Sequence, residues 1–157
     1  MPGLEDLYRE IILDHYRSPR NRGELPAPPA TRVEGFNPLC GDEIVIFLTV
    51  ANGVVEDIRI GGQGCSISQS SASMMSAAVK DKTFDEVLRL TNAFKAMMSI
   101  HVGGDEHTDA PPDADVKLGD LEALRGVVKF PVRIKCATLS WNTLAQAIDE
   151  ATATKDP

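Results

Sequence analysis

The sequence predicts an α+β fold, a small antiparallel three-stranded sheet packed on one face by helices. Three observations predict it. Residues 43–50 and 54–60 are rich in β-branched side chains and are joined by Asn52-Gly53, the strongest short hairpin signal in the chain. The helical patterns then follow the strands instead of alternating with them. Finally, Ile134, Ala137, Trp141, Leu144, Ile148 and Ala151 step by three and four residues, which makes a sustained apolar stripe on one terminal helix.

The elements follow in chain order. Leu4, Leu7, Tyr8, Ile11 and His15 recur at helical spacing, and Ser18-Pro19 should stop this first helix. His15 reads as a helix-surface or packing residue. Residues 21–31, with Pro26, Pro28 and Pro29, read as an extended connector. A strand around residues 32–35 precedes the hairpin, in which Val54, Ile58 and Ile60 share a face. Gly61-Gly62-Gln63-Gly64-Cys65 reads as a glycine loop leading into a helix rich in Ser and Ala, with Ser66 and Gln69 at capping-box spacing. Residues 84–98 read as a further helix with Val87, Leu88, Leu90 and Phe94 inward. Residues 100–117 break all periodicity with Gly, Pro, Asp and His and read as a polar insertion. A short helix over 118–127 precedes the last one.

With 157 residues, the chain is expected to form a single domain with a core of its own, dependent on neither disulfides nor a structural metal. Sixteen basic against 23 acidic residues give a net charge of -7, which disfavours nucleic acid and anionic membranes as partners. The longest apolar run is strand-length, well short of the ~20 residues of a membrane span. The first residues carry Glu5, Asp6 and Glu10 instead of a basic start and an apolar block. A cytoplasmic location is the expectation.

Three cysteines, 40, 65 and 136, are too few and too scattered for a disulfide framework. Each stands at a discontinuity. Cys40 lies in a turn that feeds the first hairpin strand, and Cys65 sits at the mouth of a helix. Cys136 lies just after the helix-starting Pro131, opposite the apolar stripe. The positive end of a helix favours thiolate over thiol at the last two. Three thiolates with the carboxylate of Asp42 would make a closed tetrahedral set for Zn²⁺, or most of an iron–sulfur ligand set. Inert buried thiols are the competing reading at this point. The glycine loop matches no phosphate-binding pattern, and neither His101 nor His107 carries a cysteine-hydrolase signature.

Four stretches carry a resemblance. They are His15-Tyr16 with Pro19-Arg20-Asn21 and Gly23; Asn37-Pro38-Leu39-Cys40-Gly41-Asp42; Gly64-Cys65-Ser66-Ile67-Ser68-Gln69-Ser70; and Arg133-Ile134-Lys135-Cys136-Ala137 with Trp141. Across essentially the whole chain they resemble the U-type iron–sulfur assembly proteins, the IscU/NifU-N family. Two features look like the SufU branch: the insertion around 100–117, and Lys135 where the scaffold branch has His beside its last cysteine. The resemblance implies a zinc site formed by Cys40, Asp42, Cys65 and Cys136. It also implies a zinc-dependent, sulfurtransferase-type carrier that takes persulfide sulfur from a cysteine desulfurase of the SufS type and serves downstream iron–sulfur assembly proteins. Cys40 would be the accepting thiolate, with Arg133 and Lys135 in support. The alternative within the family is a scaffold that holds iron or a nascent 2Fe–2S cluster.

Overall fold

A computed structural model describes residues 4–26, 30–38, 41–99 and 118–155. Helix α1 (Leu4–Arg17) is followed by strands β1 (Thr31–Asn37), β2 (Asp42–Ala51) and β3 (Val54–Gln63). Helices α2 (Ser66–Val79) and α3 (Phe84–Ser99), a 3-10 helix (Gly119–Lys129) and α4 (Pro131–Lys155) complete the order. The insertion expected over 100–117 lies outside the described residues, as does Cys40.

The strands form an antiparallel meander in the order β1-β2-β3. Asn52 and Gly53, both at positive φ, make the tight turn that the Asn-Gly pair predicts. Strand alternation divides the sheet in two. Val33, Ile44, Ile46, Leu48, Ile58 and Ile60 face the helices and are buried. Arg32, Glu34, Phe36 and Glu43 face outward, and Phe47 on that side is covered by Arg32, whose guanidinium lies 5.8 Å from the ring centroid. The proline-bearing connector has an ordered start: Asn21 and Gly23 exchange backbone hydrogen bonds with Ile60 and so cover the outer edge of β3.

The apolar stripe of α4 lies against the sheet, with Ala137, Trp141 and Leu144 fully buried, and Trp141 stacks on Phe94 of α3 at 5.2 Å. On α3, Val87, Leu90 and Phe94 point inward as expected, but Leu88 does not. It is 58% exposed, because on a 3.6-residue period it stands on the flank opposite Leu90. Helix α3 begins with a capping box that connects Thr83 and Glu86. On α2 the cap also differs from the expectation. Cys65 occupies the N-cap position, ahead of the Ser66 and Gln69 pair, and its sulfur accepts the Ser68 backbone N–H at 3.5 Å.

His15 proves to be a satisfied packing residue. It is buried at the end of α1, with Nδ1 2.7 Å from Ser73 Oγ on α2 and Nε2 2.8 Å from Asp120 on the 3-10 helix. One imidazole thus joins three elements, while Ser73 also receives the Arg20 N–H that turns the chain after α1. His15→Ala should lower stability by about 2 kcal/mol through the lost bonds and the void left behind. Chemical denaturation would check this; an unchanged midpoint would remove His15 from the structural framework.

Candidate metal centre

The centre forms where the ends of three elements meet. Asn37, last in β1, pairs in register with Asp42, first in β2, so the two strand ends meet here. Asp42 occupies an inward position of its strand and is fully buried. β3 runs on through Gly61 and Gly62 to Gln63, so the expected glycine loop is mostly strand. Gly62 has φ +108, and a Cβ there would run into the Glu43 carbonyl. Only glycine lets the chain turn so closely over β2 and deliver Cys65 beside Asp42.

Cys136 reaches the same point from the second turn of α4. The sequence places it opposite the apolar stripe and off the core. The structure corrects the second half of that expectation, because Cys136 is fully buried. The exposed first turn of α4 gives way at Cys136 and Ala137 to a stretch packed between the sheet and α2: Ala137 receives the Ser71 hydroxyl while Cys136 turns towards Asn37 and Asp42.

One carboxylate oxygen of Asp42 and the sulfurs of Cys65 and Cys136 all lie within 4.8 Å of one another. Tetrahedral zinc with metal–ligand bonds of about 2.0–2.3 Å sets its ligands roughly 3.3–3.8 Å apart, so a small contraction suffices to close the set. Two thiols and a carboxylate suit zinc or iron better than magnesium or calcium, which take oxygen ligands. Neither sulfur is in a disulfide among the described residues. The donor set therefore fits the implied metal, and it leaves a fourth position to be filled.

The surroundings favour the anionic form of Asp42. Burial alone would raise the Asp42 pKa, but hydrogen bonds outweigh it and the net shift is downward. The Cys65 backbone N–H donates to Oδ1 at 3.0 Å, and Cys136, Ser68 and the Cys65 thiol also donate. Arg133, on the exposed first turn of α4, approaches both sulfurs. The charge of Cys65 foremost, then hydrogen bonding to Cys136, holds its guanidinium firmly protonated. Lys135 is likewise exposed, two residues further along α4.

Gly64 is packed directly against a ligand. A Cβ there would stand 2.5 Å from Asp42 Oδ1 and 2.6 Å from Ser68 Oγ. Gly64→Ala should displace the Asp42 carboxylate and weaken metal binding on the order of tenfold. Competition with a chromophoric chelator measures this, and equal affinity would show that the carboxylate is not held as described.

Beside the centre lies an open cavity of about 760 Å³ between α1, the start of α2 and the 3-10 helix. Tyr8, Ile12, Val127 and Phe130 line it with Cys65 and Arg133. Phe130 and Val132 are 62% and 61% exposed, an apolar surface next to the reactive groups. Among the described residues, no helix is long and apolar enough to cross a membrane.

Comparison with known proteins bears on the same residues. The NifU-like N terminal domain family matches residues 7–137. The chain is 45% identical over 145 residues to the zinc-dependent sulfurtransferase SufU of Bacillus subtilis (strain 168), covering 92% of this chain and 91% of that protein. It is 41% identical over 145 residues to the iron–sulfur cluster assembly scaffold protein IscU of Streptococcus pyogenes serotype M1, covering 92% of this chain and 84% of that protein. A crystal structure of a protein described only as hypothetical superposes with a TM-score of 0.77 at 40% identity, covering 92% of this chain and 98% of that one.

Proposed function

Because the chain belongs to the IscU/NifU-N family of iron–sulfur cluster assembly proteins, we propose that it is a zinc-dependent acceptor of persulfide sulfur from a cysteine desulfurase of the SufS type. The observation that carries this reading is the convergence of Asp42, Cys65 and Cys136 into one ligand set, with Arg133 against the sulfurs. Cys40, two residues before Asp42, supplies the fourth ligand and the accepting thiolate. The likeness to a protein named a zinc-dependent sulfurtransferase supports the choice of metal and activity.

Bound zinc would keep the coordinating thiols deprotonated at neutral pH. The transfer itself is the work of Cys40. Its thiolate attacks the outer sulfur of the donor's persulfide. A new S–S bond forms, the donor's S–S bond breaks, and the donor cysteine leaves as thiolate. The outer sulfur keeps whatever proton it carried, so the exchange is a two-electron substitution without net oxidation. Asp42, Cys65 and Cys136, each held by hydrogen bonds from the surrounding chain, remain as the fixed part of the ligand set while Cys40 moves. Arg133 offsets the negative charge gathered there, Lys135 adds positive potential on the approach side, and exposed Phe130 and Val132 receive the desulfurase.

The test is to mix the zinc-loaded protein with a persulfide-loaded SufS-type desulfurase and to map the peptide that gains one sulfur atom. The peptide containing Cys40 should gain it; gain at Cys65 or Cys136 instead would overturn the assignment. The relative named IscU scaffold favours a second reading, in which the same residues hold a 2Fe–2S cluster as cargo. Stable cluster absorption after anaerobic reconstitution, transferable to an apo-ferredoxin, would select that reading.

A further inference from the structure

We infer that Asn37 is a positioning residue of the metal centre, tying the Asp42 carboxylate to the Cys136 sulfur from the buried side. The inference rests on the reading of the site as a metal centre and adds a residue to it. The Asn37 side-chain nitrogen lies 3.4 Å from Asp42 Oδ2 and 3.7 Å from Cys136 Sγ, and Asn37 itself is buried. An amide NH₂ carries two hydrogens, one for each acceptor. Its orientation is not arbitrary: turned over, the amide oxygen would face a carboxylate and a thiolate, both acceptors and both on buried residues. Nitrogen therefore points inward.

Position makes the contact consequential. Asn37 is the last residue of β1, opposite Asp42 in register, and its carbonyl accepts the Gly41 N–H at 2.9 Å. Its backbone is thereby fixed at the strand end, and through its side chain it joins a hard ligand on the sheet to a soft ligand on α4. Arg133 reaches Cys136 from the solvent side and Asn37 from the interior, so the buried sulfur is approached by donors from opposite directions. A neutral amide can do this inside the fold, where a second cation would carry a desolvation cost. Donation to a thiolate also draws charge from the sulfur, so Asn37 should tune the ligand's electronic character as well as its place.

The test uses Asn37→Ala and the volume-keeping Asn37→Leu, each compared with the parent protein. Zn²⁺ affinity is measured by competition with a chromophoric chelator, and Co²⁺-loaded protein is followed by absorption. Both variants should bind zinc roughly 10–100-fold more weakly, as loss of an outer-sphere partner predicts. The sulfur-to-cobalt charge-transfer band should move to lower energy, since the sulfur loses a hydrogen-bond donor. The metal-free thermal midpoint of Asn37→Leu should stay at the parent value. A merely structural role would lower that midpoint and leave the band in place, which would overturn the inference. Parent-like affinity and spectrum in both variants would likewise overturn it while leaving the metal centre standing. A parent protein that takes up neither ion would bring down both.

Discussion

Cys40→Ala should abolish sulfur acceptance and leave the fold intact. The stimulation of a SufS-type desulfurase should fall to the rate measured with no acceptor present, because the covalent step has no other nucleophile placed to replace it. The other two thiols are held by the fold. Cys136 is fully buried and bonded to Asn37, and Cys65 caps α2 with its sulfur on the Ser68 N–H. A thiolate that must leave its site, attack and carry sulfur away cannot be one that the fold holds in place. The variant should still bind metal through Asp42, Cys65 and Cys136, more weakly than the parent. Normal stimulation by Cys40→Ala would falsify the proposed transfer, whatever metal the protein contains.

Cys136→Ser should have the opposite profile, with metal binding lost first and sulfur transfer lost with it. A buried hydroxyl is a poor substitute for a thiolate, and the Asn37 and Arg133 donors would be left facing a neutral group. The fall in zinc affinity should exceed about 100-fold, beyond the range typical of outer-sphere substitutions. Asp42→Ala should behave similarly, since it removes a ligand and leaves the Cys65 N–H without its 3.0 Å acceptor. Neither change should unfold the protein. The core around Trp141, Phe94, Ile46 and Leu48 is built without the centre, unlike small zinc domains that depend on their metal to fold. Chelation followed by circular dichroism checks this: the helical signal should persist with a lower thermal midpoint, and collapse of that signal would contradict it.

The legible part of this protein lay in periodicities. The β-branched run 43–50 and the shared face of Val54, Ile58 and Ile60, with Asn52-Gly53 between them, specified a hairpin, and the stripe from Ile134 to Ala151 specified the packed face of α4, because both patterns act over short stretches of chain. Leu88 shows where such reading stops: its apolar character suggested burial, whereas helix phase decided exposure. Cys65 shows the same for caps. Ser66 and Gln69 had the right spacing, but the strand extending to Gln63 brought the helix in one residue earlier and made the cysteine the cap.

The site divides in the same way. Its residue types and motifs were legible, since Cys40, Asp42, Cys65 and Cys136 stand at turns and helix starts where side chains are free to converge. The convergence of Asp42, Cys65 and Cys136 was not, because Asp42 and Cys136 are 94 positions apart and no local pattern measures the distance between them. The sequence by itself determined the elements, the chemistry of the donors and the family to which they belong. Only the tertiary structure decided that Cys136 is buried, that Arg133 reaches the sulfurs, and that Asn37 lies between Asp42 and Cys136. The physical reason is that periodicity and turn chemistry are local properties of the chain, whereas burial and hydrogen-bond partnership depend on how α4 and α2 close over the ends of β1 and β2.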